Sequence, residues 1–196
     1  MSKLYFAHPV NTYKTLLEEA IVQFITHIFP NDEIENPNQP HHQEGYKAYA
    51  KRAQESDTKH RGMNYFYDKV LPECNGCVVM PFLDARLGLG VAGESGWYVK
   101  REMPAWFIEP TREVTQENLE AFINDPLKSG LFRIRGFDQE EVKMLLNIDK
   151  ETGSSLVISH QETRLRTWIV YGQEKRPFEE AHLVKMPIPE GFYPNK

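Results

Sequence analysis

With 196 residues, 40% of them hydrophobic and 26% charged, the chain can bury a sizeable core as one domain, or one domain with an extension, and needs no staples. A net charge of -5 argues against a nucleic-acid backbone as the main partner, and no apolar run approaches the roughly 20 residues that cross a bilayer. The expected partner is a small molecule, and the expected location is the cytoplasm, because the N-terminus enters a strand pattern without a signal-peptide profile.

The apolar run Leu4-Tyr5-Phe6-Ala7 reads as a first strand, with His8-Pro9 as the turn after it. Tyr13, Leu16, Leu17, Ala20, Ile21, Phe24, Ile25 and Ile28 recur at helical spacing. Asn11 or Thr12 is the expected cap and Pro30 lies beyond the end. Residues 31–43 are polar and turn-rich, with room for a short second strand at Glu33-Ile34-Glu35-Asn36. The neighbours His41 and His42 invite a metal, but adjacent histidines rarely aim at one ion without a third ligand. They read as solvated loop histidines, and no metal is expected.

Residues 45–54 pattern as a helix with Tyr46, Tyr49, Ala50 and Ala53 on one side. Residues 62–72 pattern as another, with Met63, Phe66, Tyr67, Val70 and Leu71 inward and Asn64 and Asp68 one turn apart on a different side. Taken alone, Asp68 is a solvated carboxylate. Cys74 and Cys77, the only cysteines, form a CxxC with no second pair for zinc and lead into a strand rather than a helix; reduced thiols are expected.

The most informative stretch is residues 77–110. Residues 77–82 form a β-branched apolar run, the expected buried parallel strand, and are followed by Gly88, Gly90 and Gly93 and then a helix with Glu94 in its first turn. Met103-Pro104 closes that helix and residues 105–108 make the next strand. The result is a βαβ unit with Glu94 at the carboxyl edge of the sheet, where open α/β proteins hold ligands. Beyond Pro110, Thr115 to Glu120 resembles a capping box before a helix, residues 131–135 alternate like a strand, and Asp138 caps a helix through Val142, Met144, Leu145 and Leu146. Residues 155–159 and 165–171 read as strands, and the tail with Pro177, Pro187, Pro189 and Pro194 as irregular. The fold class is therefore α/β, a Rossmann-like or flavodoxin-like parallel sheet with helices on both faces, carrying a C-terminal α+β extension.

A glycine-flanked helix start presents free N–H groups and a positive dipole end, and Glu94 supplies the anion. A carboxylate held this way suits a nucleophile, or a stabiliser of an oxocarbenium-like centre. The plainer alternative is a residue that only complements the helix dipole. GLGVAG matches neither the dinucleotide fingerprint nor a P-loop.

Residues 88–96, GLGVAGESG, followed by a helix and a strand, resemble the signature of the nucleoside 2-deoxyribosyltransferase-like superfamily, which includes deoxynucleoside 5′-monophosphate N-glycosidases. There a loop of the type G-V-G-x-E-x-G presents the catalytic glutamate; here Ala92 replaces a glycine. The resemblance covers about residues 3–110, so 1–110 is the expected catalytic domain and 111–196 an extension packed on it. It implies Glu94 as nucleophile, Tyr5 as its orienting hydrogen-bond donor, and Asp68 as the group that holds the sugar hydroxyls and assists the leaving base. His8, Asn64, Gly88, Gly90 and Gly93 are the implied substrate contacts. Gly88 stands where the monophosphate hydrolases have a serine, and Gly76 where an aspartate is common. The implied activity is cleavage or transfer at the N-glycosidic bond of a nucleoside or nucleotide, without metal or organic cofactor. A homodimer is also implied, with Trp97 and Tyr98 offering aromatic surface. The competing expectation is a Rossmann-like sensor that binds a nucleotide derivative without turning it over.

Overall fold

The computed structural model describes residues 2–55, 62–83, 86–146, 158–159 and 168–170. Strands β1 (Ser2–Ala7), β2 (Asp32–Glu35), β3 (Gly76–Val79), β5 (Ala105–Pro110) and β6 (Phe132–Gly136) form one sheet in the order β2-β1-β3-β5-β6. The first four run parallel and β6 is antiparallel to β5. β4 (Arg86–Gly88) lies outside this sheet. The protein is thus α/β with a Rossmann-like or flavodoxin-like sheet, and the chain turns back on itself between β1 and β3, the switch point where such sheets open a crevice.

Each face of the sheet has its own core. On one, α1 (Leu16–Ile28) and α4 (Gln116–Asn124) cover Leu4, Phe6, Val78 and Ile108. Leu17, Ala20, Ile21, Phe24 and Ile25 of α1 are buried at the predicted helical spacing, and Phe24 meets Phe122 edge to face. On the other face lie Tyr5, Ala7, Cys77, Val79 and Phe107. Over them pack α3 (Leu89–Val99), α5 (Gln139–Leu146) and a short helical segment at residues 66–73. All of β3 is buried, as a central parallel strand requires.

Several predicted boundaries move. The cap of α1 is Thr15, whose hydroxyl accepts from the Glu18 N–H, because a 3-10 turn at Val10–Thr12 takes Asn11 and Thr12 out of capping range. α2 (Pro40–Glu55) starts earlier than the apolar pattern suggests, with Pro40 in its first turn. His41 and His42 are therefore helical, and His42 is buried rather than solvated. The helix expected at 62–72 is broken into a π turn, Phe66–Val70, and a 3-10 turn, Leu71–Glu73, as a proline at 72 dictates by lacking an N–H. β3 ends at Val79, ahead of Pro81.

The sheet continues past Pro110. The Thr115 capping box forms with Asn118, β6 pairs with β5, and Asp138 Oδ1 accepts from the backbone N–H groups of Glu140 and Glu141 to start α5. Of the last two predicted strands, β7 (Ile158–Ser159) and β8 (Trp168–Val170) are described, in a second sheet of order β4-β8-β7. The proline-rich tail lies outside the described residues. Among those described, no helix is long and apolar enough to cross a membrane.

Gly76 opens β3 where a Cβ would stand 2.7 Å from the Pro104 carbonyl oxygen, and that carbonyl accepts from the Cys77 N–H at 3.0 Å. An aspartate has no room here. Gly76→Ala should lower unfolding free energy by about 1–3 kcal/mol by forcing β3 and β5 apart, read as a fall in the urea midpoint; an unchanged midpoint would show that the strand ends yield freely.

Candidate active site

Parallel pairing sets Tyr5 beside Glu35 on β2 and Cys77 on β3, and strand alternation sends its ring to the α3 face. On α3, Glu94 and Tyr98 are one turn apart and so share the side of the helix facing β1. Tyr98 stacks on Tyr5 with ring centroids 6.5 Å apart, Phe66 packs on Tyr5 at 6.3 Å, and the Tyr98 hydroxyl donates to the Leu71 carbonyl at 3.2 Å. Locked this way, the Tyr5 hydroxyl donates to Glu94 Oε1 at 2.9 Å. Tyr5 is fully buried and Glu94 is 6% exposed. Burial first, and the nearby Glu94 charge second, push the Tyr5 hydroxyl well above its usual pKa, so it keeps the proton it donates.

Glu94 does not lie in a first helical turn. α3 begins at Leu89, so Glu94 is in its second turn, Gly88 closes β4, and Gly90 and Gly93 are helical. Burial of Val91 and Ala92 offsets the roughly 1 kcal/mol that each helical glycine costs. The dipole of a helix fades within its first turn, so the hydrogen bond from the Tyr5 hydroxyl orients this carboxylate more than the helix dipole does. Gly96 permits another close approach, with a Cβ there 3.1 Å from the Leu145 carbonyl of α5.

Asp68 sits on the π turn with its side chain exposed, and Asn64 is half-buried just before that turn. Within the same turn it is Tyr67 whose hydroxyl is pushed up by burial and by the charge of Glu94, a connection hidden in the sequence because Tyr67 reads as an ordinary inward aromatic. His8 is buried and stacked on Phe6, centroids 4.0 Å apart. Its Nδ1 lies 2.9 Å from the Phe6 carbonyl and its Nε2 3.1 Å from Glu18 Oε1, so both ring nitrogens are committed to holding the end of β1.

Glu18 is the hub of that cluster. Besides His8 it accepts from Asn36 Nδ2 at 2.8 Å, Asn38 Nδ2 at 2.9 Å and the Lys14 N–H at 2.5 Å. Sequence reasoning did not single out Glu18; its neighbour Leu17 carried the only signal, placing this turn against the sheet. A second cluster also went unread: Glu35 binds Lys3 Nζ at 2.7 Å and His42 Nε2 at 2.7 Å.

Cys74 and Cys77 are free and buried. Burial pushes the Cys74 thiol up to about 12 and that of Cys77 well above its ordinary value, which keeps both protonated and poor nucleophiles. Tyr98 is fully buried against Tyr5 and offers no surface to a partner, because its place one turn after Glu94 turns it inward. Trp97 is half-buried under the Arg101 guanidinium, 3.9 Å from the ring centroid.

A buried carboxylate with its rotamer fixed by a protonated phenol is held ready to meet an electron-poor carbon or a developing positive charge. Tyr5→Phe removes one charge-assisted hydrogen bond, worth about 1.5–3 kcal/mol; for a reaction in which Glu94 is the nucleophile, as proposed below, turnover should fall roughly ten- to hundredfold. Steady-state kinetics check this, and a rate within twofold of the parent would remove Tyr5 from the orienting role. Compared with protein-family models, with curated proteins and with solved structures, the chain matches none of them.

Proposed function

We propose that the protein cleaves, or transfers across, the N-glycosidic bond of a nucleoside or nucleotide. The observation that carries the reading is the buried Tyr5–Glu94 hydrogen bond at 2.9 Å, formed between residues 89 apart in the chain. In the proposed reaction a Glu94 carboxylate oxygen attacks the anomeric carbon as the bond to the base breaks, giving a glycosyl ester; water or a second base then displaces Glu94. Tyr5 keeps the carboxylate aimed throughout. Asp68, at the exposed edge of the π turn, would reach the sugar hydroxyls and assist the leaving base. Gly88, with no hydroxyl, favours nucleosides, or phosphates bound through backbone N–H groups.

Incubation with a panel of nucleosides and their 5′-monophosphates, with and without an acceptor base, tests the proposal. Chromatography should reveal free base or an exchanged nucleoside from at least one member. The exposed side chain of Asp68 favours a second reading, a sensor that binds a nucleotide derivative without chemistry. Saturable binding with no base released from any substrate would select it.

A further inference from the structure

Two adjacent histidines need a third donor before they hold an ion, and the fold brings one to His41 and His42. Glu35, the last residue of β2, meets the first turn of α2, so that one ligand atom from each of Glu35, His41 and His42 lies within 4.8 Å of the other two. His42 Nε2 is 2.7 Å from Glu35 Oε1, and its Nδ1 is 3.1 Å from the Tyr65 hydroxyl. Tyr65 fits there because position 45, one turn along α2, is glycine: a Cβ would collide with the Tyr65 ring. Glu35 is steadied on its other oxygen by Lys3 Nζ at 2.7 Å.

We propose that Glu35 Oε1, His42 Nε2 and a ring nitrogen of His41 form a binding site for a borderline divalent cation of the zinc type, with water as fourth ligand. Two imidazoles and one carboxylate are the donors such an ion takes, whereas magnesium and calcium prefer oxygen alone. Without the ion, one proton bridges His42 Nε2 and Glu35 Oε1. When the cation takes Nε2, the proton held there passes by way of solvent to Nδ1, with none released overall, and Nδ1–H then donates to the Tyr65 hydroxyl, fixing the tautomer as outer-shell partners of metal-bound histidines do. Ligand bonds of about 2.1 Å put tetrahedral donors roughly 3.4 Å apart. The His42–Glu35 pair therefore opens slightly and the His41 ring swings in, a motion that its exposure allows. Lys3 stabilises the carboxylate but adds a positive charge beside the ion, so it limits affinity. Because Glu35 is the register partner of Tyr5, the ion would lie on the sheet face that carries Tyr5, one strand over.

The test is calorimetric titration of untagged, chelator-treated protein with ZnCl2, repeated with MgCl2. One zinc should bind per chain and magnesium should give no saturable heat. His41→Ala alters an exposed side chain and should weaken zinc at least about tenfold at unchanged melting temperature, while Lys3→Gln should tighten it several-fold. Co²⁺ substitution should show the intense visible bands of a tetrahedral site, lost in His41→Ala. Equal zinc affinity in the parent and His41→Ala, or cobalt spectra that do not differ between them, would overturn the proposal.

Discussion

Glu94→Gln is expected to reduce base release by several orders of magnitude, about 10⁴-fold or more, as the loss of a catalytic nucleophile does, while substrate binding and melting temperature change little. Glutamine keeps the length of the side chain and an oxygen that can still accept from the Tyr5 hydroxyl, now 2.9 Å from Glu94 Oε1. Only the charge proposed to attack carbon is lost. A carboxylate serving the helix dipole alone would show no such drop, and it would have to lie in the first turn, which Glu94 does not. Rates from purified variant and parent on the best substrate found decide the matter. Full activity in the variant sinks the nucleophile and moves the weight to the sensor reading.

The largest loss of stability should follow Glu18→Ala. His8, Asn36, Asn38 and the Lys14 N–H all lose their acceptor at once, and orphaning the partners of a buried charge costs about 3–5 kcal/mol. Urea unfolding should show it as a marked shift of midpoint. The same residue sets an acid limit on the parent. Burial alone would raise its pKa, but hydrogen bonds from His8 and Asn36 outweigh burial and hold it below the ordinary 4.5. The unfolded chain therefore binds the proton first as pH falls. The contribution is complete above about pH 4.5 and drains away as pH drops through the lower folded value. Glu18→Gln should flatten that part of the stability profile; a profile as steep as the parent's would assign the acid sensitivity elsewhere.

Periodicity made much of the fold legible. Leu17, Ile21, Phe24 and Ile25 announce α1, and the apolar run from Cys77 announces β3, because burial against a sheet leaves a mark at a fixed spacing. Glu94 and Tyr5 were legible through motif resemblance, and the fold does bring them into contact. The start of α3 was hidden because Gly88, Gly90 and Gly93 speak for a loop locally, and only contact with the sheet overrides that preference. The Glu18 and Glu35 clusters were hidden for another reason. Their partners come from separate elements, so no local spacing encodes them, and a glutamate on α1 or at the end of β2 looks like any solvated charge. Gly45 was equally mute, since a glycine inside a helix gains a meaning only from the Tyr65 ring that fills its place.

The antiparallel pairing of β5 with β6 bears on how this protein could be shortened for experiment. Glu109 on β5 is buried and held by Arg133 and Arg135 of β6, and Arg135 continues the chain of charges to Glu141 of α5. A fragment trimmed at residue 110 would bare the hydrogen-bonding edge of β5 and strip Glu109 of both arginines. Such an edge invites strand addition between copies, and Phe107, with its partner ring Phe137 gone, would add sticky surface. The minimal unit for crystallisation or display therefore has to run beyond Leu146, where α5 closes against Gly96 of α3, and on to Val170, because β8 pairs with β4 just ahead of α3.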